Sequence, residues 1–116
     1  MSDEELMGNL AWLMQVVPEC EGVVAADKQG KLIGGKTLIE KDLATIAKKM
    51  KNLLDASEFN DVLEKGKPIE VILNWENGYM IVMTDDKKII GAMLGGEDKL
   101  QISVLSRRLR QIFGYQ

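Results

Sequence analysis

The fold is decided by residues 23–37, which read VVAADKQGKLIGGKT. An apolar run leads into Asp27-Lys28-Gln29-Gly30, which has the residue types of a tight turn with glycine last. Lys31-Leu32-Ile33 then returns as a second apolar run. Because a connection this short joins antiparallel neighbours, the segment predicts a β-hairpin. Residues 34–37 are expected to be the exit from its second strand.

The same letters also match a phosphate-binding loop. Residues 30–37 fit the pattern G-x-x-x-x-G-K-T, in which backbone amides cradle phosphates, Lys36 binds them and Thr37 binds the metal. Leu32 and Ile33, however, are typical of a strand, whereas the cradle must be an open loop. A nucleotide-binding domain of this type also needs a parallel sheet of strand–helix–strand units, for which 116 residues are too few. We therefore expect no cofactor, no catalytic or metal-binding residues and no enzymatic activity.

Composition narrows the class of protein further. The chain has 116 residues, 46% of them hydrophobic and 28% charged, which predicts one globular domain over residues 1–116. A formal net charge of -3 argues against a nucleic-acid partner. One cysteine, Cys20, and no histidine exclude an internal disulfide and the commonest catalytic and metal sites. The acidic start is unlike a secretion signal, and no apolar run approaches the roughly 20 residues of a membrane span. We expect a cytoplasmic protein without membrane insertion.

A short helix is predicted before the hairpin. Ser2 and Glu5 form a capping box at its start, and Pro18 ends it. Trp12 lies off the apolar stripe of this helix, so it either folds onto a neighbouring element or is an exposed anchor for a partner. The stripe itself consists of Leu6, Leu10, Leu13, Met14 and Val17.

Two further helices follow the hairpin. The longer is predicted from Glu40 to Glu64, with its end at Gly66-Lys67-Pro68, and the part after Asp55 either continues it or forms a short extension. The last helix begins at Gly95-Gly96-Glu97-Asp98. Its apolar stripe is Ile102, Leu105, Leu109 and Ile112, and its arginines, Arg107, Arg108 and Arg110, either complement the negative end of the helix dipole or form a phosphate or partner site.

Three strands lie between these helices. Residues 69–75 alternate between apolar and polar side chains, and Asn77-Gly78 is a strong signal for a hairpin. Residues 79–84 and 88–94 are apolar at nearly every position, which is typical of strands covered on both faces. The alternating strand is therefore nearer an edge. We expect an α+β fold: a five-stranded sheet, antiparallel except where the long helix crosses from the second strand to the third, with that helix on one face and the terminal helices on the other.

The chain resembles the roadblock/dynein light-chain domain family over residues 10–110, nearly its whole length. The resemblance rests on residues 17–30, VPECEGVVAADKQG, which fit the family's opening of a helix followed by x-E-G-h-h-h-h-D-x-x-G, where h is apolar. It rests also on the long helix, on the hairpin at Asn77-Gly78 and on Gly95-Gly96 before an arginine-bearing helix. Longin-type and profilin-like folds share part of this architecture.

The resemblance implies a homodimer. Roadblock domains are not enzymes by themselves, and they typically pair their third strands edge to edge with the two long helices side by side. This places the strand contact at residues 69–75 and the adjoining helix surface at residues 43–61. An edge strand also needs protection or a partner, and symmetric pairing supplies one. The residues assigned to this interface are Ile69, Val71, Ile72, Leu73, Trp75, Met50 and Leu54.

The resemblance also implies a partner. Family members commonly bind small Ras-like GTPases, and others attach to motor or scaffold complexes. The expected function is thus a homodimeric adaptor that binds and regulates such a GTPase, and the alternative is a structural subunit of a larger complex. No arginine lies on the long helix, so activation would have to position the GTPase's own residues. The candidate partner surface is Lys41, Lys48, Lys49, Asn52 and Phe59, and a merely solvated lysine face is the alternative for it.

Overall fold

The computed structural model describes residues 1–55, 62–95 and 100–115. Within these ranges, the helices and strands follow one another in the predicted order. They are α1 (Asp3–Val16), β1 (Cys20–Asp27), β2 (Leu32–Thr37), α2 (Leu43–Leu54), β3 (Glu70–Trp75), β4 (Gly78–Thr84), β5 (Lys88–Gly95) and α3 (Leu100–Phe113).

The strands form one sheet in the order β2-β1-β5-β4-β3. Each neighbouring pair is antiparallel. The crossover through α2 connects the two opposite edges of the sheet, so β2 and β3 are not neighbours. The predicted five-stranded antiparallel sheet is confirmed. The strands joined by the α2 crossover, β2 and β3, run in the same direction at opposite edges.

Two cores lie on the two faces of the sheet. Alternation along β1 divides its side chains between them: Val23 and Ala25 face one core, and Val24 and Ala26 face the other. The first core joins the sheet to the terminal helices through Leu6, Leu10, Leu13, Leu105 and Leu109, all of them buried. The second joins the sheet to α2 through Ala47 and Met50. The predicted arrangement of helices, with α2 alone on one face, is confirmed.

The turn between β1 and β2 is held by Asp27. Its side-chain Oδ1 accepts hydrogen bonds from the backbone N–H groups of Gln29 (3.0 Å) and Lys31 (2.9 Å), and its backbone carbonyl accepts one from Gly30 (3.0 Å). Gly30 has φ +84°, a left-handed conformation that favours glycine. The predicted hairpin is thus confirmed.

Residues 34–37 belong to β2 instead of leading out of it. Gly34, Gly35 and Lys36 pair with Ala25, Val24 and Val23 of β1. The expectation that this stretch is an exit segment is wrong, because its backbone continues the ladder to Thr37. A phosphate-binding loop needs a backbone that curves around its ligand, whereas the pairing with β1 keeps this backbone extended. The match to that motif is therefore a coincidence of sequence.

Helix α2 is shorter than predicted at both ends. It begins at Leu43 because the Asp42 side chain accepts hydrogen bonds from the N–H of Thr45 (3.2 Å) and from its hydroxyl (2.7 Å), which caps the first turn. These bonds hold the pKa of the Asp42 carboxyl below its usual value. The helix ends at Leu54, where Asp55 leaves the helical conformation, and Val62 and Leu63 are helical again. The candidate partner residue Phe59 lies outside the described residues.

We predict that Gly30→Ala lowers the free energy of unfolding by about 2 kcal/mol, measured by urea denaturation. A Cβ atom at this position would lie 3.0 Å from Cβ of Lys51 and 3.3 Å from Cα of Lys48, so the substitution combines backbone strain with crowding against α2. Gly114→Ala is the matched control, because Gly114 has φ +78° with open space around it. An equal loss in both variants would contradict the packing of the turn on α2.

Candidate self-association and partner surface

The outer edge of β3 carries unpaired backbone groups. The carbonyl of Ile69 accepts a hydrogen bond from the N–H of Thr84 on β4 (3.0 Å). Because hydrogen-bonding direction alternates along an antiparallel strand, the N–H and C=O groups of Glu70, Ile72 and Asn74 point away from β4. In the sheet that the structure describes, no strand lies beyond β3. This edge is therefore open to another strand.

Side chains of β3 alternate between the two faces as predicted. Leu73 packs into the core beneath α2, and its registered partner on β4 is Met80 of the same core. Ile72 is registered with Ile81 of the opposite core. Trp75 is 55% exposed and Ile72 is 43% exposed, although both are large apolar side chains. The edge thus exposes apolar side chains beside its unpaired backbone groups.

A groove of about 620 Å³ runs between α2 and β3. Its sides are formed by Ile46 and Leu53 of α2 and by Leu73 and Trp75 of β3. Three of the predicted partner residues, Lys41, Lys49 and Asn52, line the same groove. The surface assigned to a partner protein and the surface assigned to the dimer are thus contiguous.

Met50 and Leu54, which were assigned to the dimer interface, lie deeper than the edge strand. Met50 is 1% exposed and lies at the base of the groove. It fills the space over Gly91 of β5, where an added Cβ would lie 2.5 Å from the Met50 Sδ. Leu54 is half-buried against the same core. Met50 therefore supports the groove from within the protomer, and Leu54 packs against the core beneath α2.

The outer face of α2 is basic. Lys41, Lys48 and Lys49 are exposed, and so is Asn52. Among the ion pairs of the described residues, the only one on α2 joins Lys51 to Asp55 (3.9 Å). The other lysines of this face leave their positive charge available to an acidic surface.

Helix α3 fixes the opposite face of β3. The hydroxyl of Ser106 donates a hydrogen bond to Oε2 of Glu70 (2.6 Å), and Arg110 lies 3.6 Å from Oε1 of the same carboxylate. Glu70 is thereby held against α3. The edge strand is anchored on this side as well as by its ladder to β4.

No feature of the described residues points to chemistry at a metal or a thiolate. Over these ranges, no group of three or more Cys, Asp or Glu side chains is placed to hold a metal ion. Cys20 is buried, its Sγ donates to the carbonyl of Gly22 (3.5 Å), and burial raises the pKa of its thiol. Within the same ranges, no helix has the length and apolar character needed to cross a bilayer.

Sequence reasoning missed two parts of this surface. The first is the lining of the groove: Ile46 and Leu53 fall within the helix surface assigned to the dimer, residues 43–61, but were not named as interface residues, and both line the groove. Their positions on α2 close to Lys49 and Asn52 were the available signal. The second is the partner of Trp12, because the Arg108 guanidinium lies 5.5 Å from the centre of the Trp12 ring. The contact joins two helices far apart in sequence, which periodicity within one helix does not reveal.

A five-stranded antiparallel sheet with one helix on one face and the two terminal helices on the other is the architecture of roadblock/LC7 domains. The structure is similar to a roadblock/LC7 domain from Streptomyces avermitilis, with TM-score 0.77 and 16% identity over 90% of this chain and 88% of that one. It is also similar to Myxococcus xanthus MglB, with TM-score 0.76 and 13% identity over 97% of this chain and 90% of that one. For the gliding protein MglB of Thermus thermophilus, the TM-score is 0.72 at 17% identity over 94% and 88%.

These similarities confirm the roadblock/LC7 fold that the sequence indicated. No protein-family model matches the sequence, and a search of curated proteins found no match. At identities of 13 to 17%, the likeness defines the fold and leaves function to be argued from the surface.

We predict that Lys36→Ala changes the free energy of unfolding by less than about 0.5 kcal/mol, because Lys36 is an exposed side chain on an edge strand. We also expect neither the native chain nor the Lys36→Ala variant to bind magnesium nucleotides in calorimetric titrations. Nucleotide binding by the native chain that is lost in the variant would restore the phosphate-loop interpretation.

Proposed function

We propose that this protein is a non-enzymatic homodimeric adaptor that pairs through β3 and binds a small Ras-like GTPase on its α2 face. The observation that carries the proposal is the open edge of β3, where Ile72 and Trp75 are exposed beside unpaired backbone groups. The fold adds support, since the resemblance to roadblock domains implies this mode of pairing.

A two-fold axis through Ile72 gives the register that best suits the edge. Residues 70, 72 and 74 direct backbone groups outward, and an axis at Ile72 is the one that pairs all three with one another; an axis at Val71 or Leu73 would pair only two of them. An axis at Glu70 would place two like charges opposite each other, which is unfavourable. An axis at Ile72 places Ile72 against its own copy and Glu70 against Asn74, so every outward group of these residues finds a partner.

The same register matches apolar side chains on the α2 face. With Ile72 at the axis, Leu73 stands opposite Val71 of the second copy, and Trp75 stands opposite Ile69. All four are fully or partly exposed in one protomer. Cross-strand apolar pairs of this kind stabilise sheets, so side chains and backbone favour one register.

The groove gives the second copy a place for its helix. Continuing the sheet through β3 brings the two α2 helices to the same face, each beside the groove of its own protomer. Ile46, Leu53 and Trp75 line that groove and provide the apolar surface for contact across the axis. Lys48 lies outside the groove lining, on the exposed side of α2.

The paired α2 helices would then form a basic platform for the GTPase. The exposed lysines of α2 favour a partner with an acidic contact surface. The chain has three arginines, Arg107, Arg108 and Arg110, and all lie on α3, across the sheet from α2. A platform without arginine cannot insert an arginine finger, so any acceleration of hydrolysis would come from positioning the GTPase's own catalytic groups.

We predict that Ile72→Cys forms a disulfide-linked dimer under mild oxidation, read on non-reducing gels. At the proposed axis the two Cα atoms would lie about 5.5 Å apart, within the range that a disulfide spans. The native Cys20 is buried and does not compete.

Asn74→Cys is the matched control for this cross-link. It lies on the same strand and face, but in the proposed register its two copies are separated by about 14 Å along the strand. Cross-linking of both variants to the same extent, or of neither at concentrations where the native chain sediments as a dimer, contradicts the register centred on Ile72.

We predict that the double variant Lys48→Glu, Lys49→Glu weakens GTPase binding by about tenfold or more, because it reverses the charge of the proposed platform. The measurement is calorimetry or interferometry against purified small Ras-like GTPases from the same genome, each loaded with GTP or GDP. Binding by the native chain should also weaken as salt is raised.

Lys87→Glu is the control for charge, since Lys87 is exposed in the turn between β4 and β5 and lines a cavity with residues of α1 and α3. The dimeric state of each variant is checked by sedimentation. Absence of binding to any of these GTPases overturns the GTPase-platform proposal and favours the structural subunit of a larger complex.

A further inference from the structure

The outer surface of the α1–α3 layer exposes a tryptophan that the proposed function does not use. Trp12 of α1 is 47% exposed, and the guanidinium of Arg108 from α3 lies 5.5 Å from its ring centre. Val16 and Val104, one turn along each helix from this pair, are exposed at 42% and 43%. Tryptophan and arginine are enriched among the residues that contribute most to binding near the centre of protein interfaces, and Arg108 is itself only half-buried.

Gly8 lies one turn before Trp12 on the same side of α1. It is exposed, and apart from its chain neighbours and the backbone of its own helix no atom of the described residues lies within 4 Å of the position that its Cβ would occupy. Glycine inside a helix is less favourable than alanine, and no close packing of the protomer accounts for it here. The helix therefore presents a projecting indole ring beside an open depression.

We propose that a second copy of this chain docks on this surface, with the exposed faces of the two α1 helices antiparallel about a two-fold axis midway along the helix between Gly8 and Trp12. This axis places Trp12 of each copy over Gly8 of the other, so the projection of one helix fills the depression of the other. The contact is self-complementary, as a two-fold interface requires.

Charge supports the same arrangement. Glu5 lies two turns before Trp12, on the same side of α1 as the Arg108 contact. In the antiparallel pair, Gly8 of one copy faces Trp12 and Arg108 of the other. Glu5 lies three residues before this Gly8, about 4.5 Å along the helix axis, and is therefore close to Arg108 of the other copy. Neither Glu5 nor Arg108 takes part in an ion pair among the described residues. Each would therefore gain an opposite charge from the second copy.

This contact is independent of β3 pairing. The α1 helix and Trp12 belong to the face of the sheet opposite α2, whereas Trp75 lies at the α2–β3 groove. With both interfaces present, the native chain should form assemblies larger than two chains. Each interface can then be removed by its own tryptophan substitution.

The first experiment is sedimentation equilibrium of native, Trp12→Ala, Gly8→Leu and Trp75→Ala chains up to hundreds of micromolar. We expect Trp12→Ala to raise the Kd of the α1 contact by about thirtyfold, and Gly8→Leu to block the seat of the indole without weakening the helix. Both variants should stop at the β3 dimer, whereas Trp75→Ala should still form an α1 dimer. Circular dichroism confirms that each variant is folded.

The outcomes separate the two interfaces. If β3 pairing fails but the α1 contact holds, the native chain is a dimer that Trp12→Ala converts to a monomer. A native mass that Trp12→Ala and Gly8→Leu leave unchanged overturns the α1 contact, whatever Trp75→Ala does. A purified acidic protein binding at Trp12 while the native chain shows no such self-association also overturns it.

The second experiment exchanges charges. Arg108→Glu alone and Glu5→Lys alone should each lose the α1 contact, because each places two like charges together. An equimolar mixture should regain it, because both halves of the two-fold interface then join opposite charges. The matched control is Arg107→Glu, an adjacent exposed arginine that is not stacked on Trp12, which should associate like the native chain. A mixture that stays dissociated overturns the proposed pairing of Glu5 with Arg108.

Discussion

The central strands β1, β5 and β4 bury both of their faces, and this constraint determines where every helix lies. Val23 and Val24 of β1 are each fully buried, although they point to opposite sides of the sheet. Such strands need a helical layer on each side, and Met50 of α2 reaches the sheet over Gly91 of β5, which has no side chain. With the faces covered, the exposed apolar groups are left at the sheet edge and on the outer sides of the helices.

Much of this architecture could be predicted because its signals are local. The Asp27–Gly30 and Asn77-Gly78 turns mark hairpins through residue type alone. The contrast between the alternating residues of β3 and the uniformly apolar β4 separated an edge strand from a central one. The buried stripe of α1 followed from its spacing, and Leu6, Leu10 and Leu13 are all buried.

What could not be predicted depends on contacts between distant segments. The pairing of β1 with β5 joins strands more than sixty residues apart, and no local pattern selects it over a link between β2 and β3. Gly34 and Gly35 look like the end of a strand by composition, yet pairing with β1 holds them in β2. Met50 was assigned to the dimer interface, and its packing over Gly91, which lies forty-one residues later, could not be predicted from the helix pattern alone.

The two basic surfaces of the molecule differ in how firmly their charged side chains are held. Lysines of α2 are flexible point charges in water, whereas Arg108 is stacked on an indole and Arg110 is held near Glu70. One surface suits a partner approached through long-range attraction, and the other suits close and oriented contact.

The buried thiol of Cys20 is a native probe of local opening in the sheet. Because the side chain is 2% exposed at the start of β1 and its pKa is raised by burial, a maleimide reacts with it only when this end of β1 opens. The rate of alkylation of the native chain thus reports how often this end of the strand opens, without any label being introduced. Association that stabilises this end of β1 would appear as a slower reaction of this single sulfur atom.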